Sequence, residues 1–277
     1  MSNFVLPPTG FGPGSQPLGE DETLEYMQMP QDMRTYTPHT PELDDSTRVA
    51  PAMTVMVNLA AACARVANGA PAESFDLTEL DAANRKFLAE SMGEGEVALK
   101  VRGIPALAVQ ESWFAGVWLV SGHGVDRIDV GRIPPVALER AHVAVRAGEG
   151  AGIKPVPGLA NGPAILTELA DKTQSWQVGD DPHVVNLTLL PHSETDLEWW
   201  DAAFGEGSVT ILSRGYGNCR ITALATRHLW RVQFFNSTDQ LILDTFEVTD
   251  VPEVALAADV DLSDSAERIR EVIEAIR

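Results

Sequence analysis

Residues 81–120 lie over residues 193–232 at a constant offset of 112, and eight of the forty positions coincide. Gly93-Glu94-Gly95 falls on Gly205-Glu206-Gly207, Val97 on Val209, Arg102-Gly103 on Arg214-Gly215, Trp118 on Trp230 and Val120 on Val232. Average composition gives roughly two such identities by chance. The echo extends outward: Asp76-Leu77-Thr78-x-Leu80 returns as Asn186-Leu187-Thr188-x-Leu190, and Ile133-Pro134-Pro135-Val136-Ala137-Leu138 as Val251-Pro252-Glu253-Val254-Ala255-Leu256. A unit this long that occurs twice is a duplicated half rather than a solenoid repeat. It duplicates a scaffold and no reactive group, which points to a binding surface.

The repeats divide the chain into an extended Pro/Met-rich arm (1–45), a first repeat (46–150) and a second (151–277), with Pro155, Pro157 and Gly158 at the seam. The arm holds seven prolines, eight acids, one base and four of the seven methionines, a composition that sustains neither helix nor ladder. In each repeat a helix follows a cap, Asp81 in one and Ser193 with Asp196 as a capping box in the other. Gly93 and Gly205 are expected as left-handed C-caps of these helices. An earlier apolar helix is expected over about 52–67, with Cys63 on its buried stripe. Strands are expected at 97–102, 108–120 and 128–130, and at 209–213, 220–235 and 246–248. A final amphipathic helix carries Ala266, Ile269, Val272, Ile273 and Ile276 on one face. The fold class is therefore α+β: two tandem copies of an α-(β)-α-β-β-β-α unit, mainly antiparallel, with helices on one face. Whether the two sheets join is left open by the sequence.

Forty acids against twenty bases give a formal charge of −20, which argues against nucleic acid and anionic membrane surfaces as partners and favours neutral or basic proteins. Two isolated cysteines, Cys63 and Cys219, provide neither a metal cluster nor a disulfide framework, and no cofactor is expected. The N-terminus lacks a basic region followed by an apolar one, and no apolar run is expected to reach the ~18–20 residues of a membrane span. The chain reads as cytoplasmic.

No pair of histidines has metal-ligand spacing, and no serine sits in a nucleophile elbow. The Gly-Glu-Gly segments follow a helix and precede a strand, the reverse of a phosphate loop, and their glutamates repel phosphate. Catalysis is not expected; an enzyme reading would need a cleft at the seam holding Arg102, Arg214 and His228. The partner-binding candidates are Tyr26, Met27 and Met29 in the arm, Trp113, the Trp199-Trp200 pair with one ring exposed, Tyr216, and His228, placed on one strand face with Trp230. Methionines adapt to irregular apolar surfaces, and exposed aromatics are enriched at interfaces.

Several segments, in this order, resemble the HupH/HyaF/HoxQ group of nickel–iron hydrogenase accessory proteins. They are Gly12-Pro13-Gly14-Ser15-Gln16, Tyr26-Met27-Gln28-Met29-Pro30, Gly93-Glu94-Gly95-Glu96-Val97 and Gly158-Leu159-Ala160-Asn161-Gly162-Pro163. With them stand Val185-Asn186-Leu187-Thr188, Gly215-Tyr216-Gly217, Arg227-His228-Leu229-Trp230 and 251–258. The resemblance implies a non-catalytic assembly factor that holds the iron–sulfur small-subunit precursor of an uptake hydrogenase before twin-arginine export. It also implies a thioredoxin-like accessory protein as a second partner. It brings no catalytic residue with it.

Overall fold

A computed structural model describes residues 49–214 and 217–276. The arm, and with it Tyr26, Met27 and Met29, lies outside the described residues, as does Tyr216. The first half comprises α1 (Ala50–Ala67), β1 (Glu73–Asp76), α2 (Ala82–Met92), β2 (Val97–Val101), β3 (Leu107–Glu111), β4 (Val117–Gly122), β5 (Val125–Val130) and α3 (Pro135–Arg140). The second comprises α4 (Gly162–Ser175), β6 (His183–Asn186), α5 (Glu194–Phe204), β7 (Val209–Ser213), β8 (Asn218–Ala223), β9 (Leu229–Phe235), β10 (Leu241–Val248) and α6 (Asp259–Ile276).

All ten strands form one sheet, in the order β1-β5-β4-β3-β2-β7-β8-β9-β10-β6, and every neighbouring pair is antiparallel. The halves join at β2 and β7, where Leu99 pairs with Ile211, Ala98 with Leu212 and Lys100 with Thr210. Leu99 and Ile211 are the same position of the two copies. The other two pairs exchange under the same operation, so the register itself is an internal two-fold. The open question of one sheet or two is answered at this seam.

Each long strand expected from sequence is two strands. The stretch 108–120 turns at Ser112–Gly116, where Ser112 N donates to Val117 O and Gly116 takes φ +77. The stretch 220–235 turns at the aligned place, where Leu224 N donates to Leu229 O and His228 takes φ +62. Trp113, Phe114 and Ala115 carry the apolar character through the first turn and Leu224 and Ala225 into the second, so periodicity alone conceals them. The C-caps are also corrected. Gly93 and Gly205 have φ +60 and +68 but ψ −164 and −167, an extended region open essentially to glycine alone. That geometry sends the chain straight from helix into strand.

Alternation along the strands separates two faces. On one, α1, α2 and α6 cover Val117, Ile128 and Val130, while α4 and α5 cover Leu229, Phe246 and Val248. On the other, Trp118, Val120, Ile211 and Trp230 are covered by α3 and the segment after Val251. Helices therefore lie on both faces, which corrects the one-face expectation. The final helix departs from the two-fold: the expected stripe of α6 packs on α1 of the first half, and Gly116 admits Leu262 where a Cβ would collide. Helix α1 has the length and hydropathy of a membrane span, contrary to the sequence expectation. Its Met56, Leu59 and Cys63 are wholly buried against α2 and α6.

One device is made in both halves. The third residue of the second helix reaches back to the N-terminus of the first, whose leading amides have no intrahelical acceptor. Asn84 Oδ1 accepts from Ala52 N at 2.9 Å. Asp196 accepts from Gly162 N at 2.8 Å and from Ala160 N at 3.1 Å while closing the capping box with Ser193.

Candidate functional site

The end of α2, the Gly-Glu-Gly segment and the β3–β4 turn meet through backbone bonds. Gly95 N donates to Glu111 O at 2.7 Å and Trp113 N to Met92 O at 2.9 Å. The Trp113 indole lies across Gly93, where a Cβ would stand 2.5 Å from the ring. Trp113 is 41% exposed. Beside it opens a cavity of about 690 Å³ lined by Glu94, Glu96, Glu111, Trp113, Leu256 and Asp261, with no lysine, arginine or histidine in its wall among the described residues. Glu111 is 9% exposed and accepts from Gly116 N at 3.1 Å. Burial pushes its carboxyl up to about 7; the Gly116 bond opposes this, and Glu96 and Asp261 add to it. Carboxylates beside an indole face form a receptor for a guanidinium or ammonium group.

A second cluster stands where β8 turns into β9. His142 Nδ1 lies 2.8 Å from Leu224 O, and its Nε2 lies 3.0 Å from His228 N. The backbone amide donates to Nε2, which assigns a neutral ring protonated at Nδ1. Burial pushes the pKa values of both His142 and His228 down. The His228 ring is 4.7 Å from that of Trp176, and Trp176 Nε1 and His228 Nδ1 are buried without a hydrogen-bond partner.

The expected candidates therefore separate. Trp113 lines the acidic cavity. Trp199 and Trp200 are 6% and 1% exposed, and their indole N–H groups donate to Lys154 O and Gly162 O, so neither offers a ring to solvent. The expectation of an exposed ring there is corrected: α5 turns both into the core of the second half. His228 belongs to the turn before β9, not to a strand face shared with Trp230. Arg102 pairs with Glu206 at 2.6 Å at one end of β7, and Arg214 follows the other end, so Arg102, Arg214 and His228 share no cleft. Sequence reasoning missed His142 and Trp176. The signal for the turn was a histidine at the position where the first copy has Gly116.

Fold and site define a duplicated antiparallel α+β platform with an acid-lined pocket beside an exposed indole. The model for the C-terminal conserved region of HupH hydrogenase expression protein matches residues 49–142 and 159–276. The chain is 61% identical over 277 residues, all of both chains, to hydrogenase expression/formation protein HupH of Rhodobacter capsulatus. It is 44% identical to hydrogenase expression/formation protein HoxQ of Cupriavidus necator, over 99% of this chain and 98% of that one. It is 32% identical to hydrogenase-1 operon protein HyaF of Escherichia coli, over 72% of each. A solved structure of hydrogenase expression protein HupH from Thiobacillus denitrificans aligns at 24% identity and a TM-score of 0.37, over 41% of this chain and 98% of that one. The chain belongs to the HupH hydrogenase expression protein family.

Proposed function

We propose that the protein is a non-catalytic, cytoplasmic assembly factor for a nickel–iron hydrogenase. It binds the iron–sulfur small-subunit precursor before that precursor joins the large subunit and leaves by the twin-arginine route. Family membership, with whole-length relatives named as hydrogenase expression/formation proteins, carries this reading. The acidic pocket at Trp113 supports it, because a basic leader is the kind of ligand that Glu94, Glu96, Glu111 and Asp261 attract. A thioredoxin-like accessory protein is its second partner.

The test is the affinity of the full chain for purified precursor, with and without its leader, across a salt series. Leader removal is expected to weaken binding by about tenfold at low salt, near 1.4 kcal/mol, and to have less effect at high salt. Trp113→Ala combined with Glu96→Gln should reproduce the loss with the leader present. Equal affinity in all four combinations would overturn the role of the pocket, and no binding to either precursor would overturn the assembly role.

A further inference from the structure

The helices on the α1 and α4 face cover the two ends of the sheet and leave a strip bare over β2, β3, β7 and β8. Strand alternation puts Ala98, Lys100, Ala108, Thr210, Leu212 and Arg220 on this strip, and Arg214, which follows β7 and donates its amide to Glu96 O, lines the cavity at its hairpin end. Leu212 is 43% exposed at its centre. It lines two cavities, of about 460 Å³ toward α2 and about 620 Å³ toward the β7–β8 hairpin. Lys100, Arg214 and Arg220 surround it, all exposed. Among the described residues none has a carboxylate within ion-pair distance; Arg220 instead lies over the Phe235 ring at 5.4 Å. The carboxylates lining the two cavities are Glu94, Asp126 and Asp239, and Asp126 already faces Arg85.

This local charge runs against the chain. With acids outnumbering bases two to one, three cations gathered around an exposed leucine with no carboxylate near enough to pair are out of keeping with the rest. A lysine or arginine on a solvated sheet face needs no partner, but its neighbours in so acidic a chain are expected to be carboxylates. Here their strand neighbours are Leu212, Ala98, Ala108 and Thr210, while Glu94, Asp126 and Asp239, which line the same cavities, form no ion pair with them among the described residues.

We infer that the bare strip is a docking surface for an extended, acidic segment of a partner protein, with apolar side chains seated on Leu212 and Phe235 and carboxylates on Lys100, Arg214 and Arg220. It differs from the Trp113 pocket, which opens against the other face of the sheet and is acid-lined, although Glu94 and Ser213 border cavities of both. The mixture of apolar floor and cations suits a peptide better than a nucleic acid, which the net charge repels.

The probe is a fluorescent ten-residue peptide of alternating Leu and Glu, with a Leu/Lys peptide of equal length as comparison, titrated against the full chain at low salt. The Leu/Glu peptide is expected to bind despite the net charge, and to lose about tenfold or more in affinity with Lys100→Glu combined with Arg220→Glu. Lys100→Gln with Arg220→Gln should give an intermediate loss, and Trp113→Ala no change. The Leu/Lys peptide should respond in the opposite pattern, which separates failure here from failure of the leader pocket. No binding of the Leu/Glu peptide, binding indifferent to both pairs of substitutions, or equal binding of a single-stranded oligonucleotide would overturn the inference.

Discussion

Asp196 holds two helix N-termini together with one carboxylate, and Asp196→Asn tests what that is worth. The carboxylate is 0% exposed. One oxygen accepts from Gly162 N at 2.8 Å and Ala160 N at 3.1 Å; the other accepts from Ser193 N at 2.9 Å and Ser193 Oγ at 3.1 Å. An amide of the same shape has one oxygen, so one backbone N–H, from Gly162 or from Ser193, must face an NH₂ group. Leaving that donor unsatisfied costs about 1–3 kcal/mol, and the remaining bonds fall from charge-assisted to neutral strength at about 1 kcal/mol each. The expected loss is about 3 kcal/mol, a large part of a total of about 5–15 kcal/mol. In the first half an asparagine, Asn84, does the corresponding work, its Oδ1 accepting from Ala52 N and its Nδ2 donating to Asp81, so Asp196→Asn makes the second half resemble the first.

Urea denaturation followed by tryptophan fluorescence reads the global loss. Hydrogen exchange at Ala160 and Gly162 reads the local one, expected to speed up about a hundredfold. Burial raises the Asp196 pKa, but the bonds from Ser193, Ala160 and Gly162 outweigh it and hold the carboxyl below its ordinary range. Its contribution is therefore complete above about pH 4 and is lost as pH falls through the folded value. The gap between parent and variant should narrow in acid. A variant within about 1 kcal/mol of the parent at pH 7, with unchanged exchange at these amides, would refute the reasoning.

Gly205→Ala should destabilise more than Gly93→Ala in thermal melts. Both force a side chain into a glycine-only conformation, but the new methyl at 205 meets the Arg146 carbonyl, whereas at 93 it meets the movable Trp113 ring. Glu111→Gln should leave stability near parental at pH 5 and raise it at pH 8. A carboxyl held near 7 stabilises the fold fully below its unfolded value of about 4.3, and that contribution is lost as pH rises through 7. Paired melts at the two pH values check the sign. The depressed His142 and His228 act in the other direction: their contribution is present above about pH 6.5 and is lost as pH falls below it. His142→Ala should lower stability at pH 7.5 by about 2 kcal/mol, through the lost bonds to Leu224 and His228, and flatten the decline toward pH 5.5.

What the sequence made legible were residues with local jobs: the Asp81 and Ser193 caps, the glycines ending α2 and α5, and the stripe on α6. Trp118 and Trp230 match because each indole N–H donates to a carbonyl in the loop after its half's last strand, Gly131 O and Asp250 O. What it concealed depends on chain segments far apart. The turns at Ser112–Gly116 and Leu224–His228 interrupt apolar runs whose alternation continues on either side. Trp199 and Trp200 sit in the middle of α5, and it is packing against distant segments, α4 and Phe246 among them, that buries them. The acidic pocket combines Glu94 and Glu96 with Asp261 of α6, a helix that crosses to the other half, so no spacing in the chain announces it. The bare strip over β2, β3, β7 and β8, between the helices that cover the two ends of the sheet, is a property of the whole sheet.

The most direct measurement is co-purification of the full chain with tagged small-subunit precursor, before and after the large subunit is co-expressed. The protein should be recovered with the precursor alone and be absent from the assembled enzyme. Its absence from a soluble precursor, or its persistence in the mature hydrogenase, would contradict an assembly role.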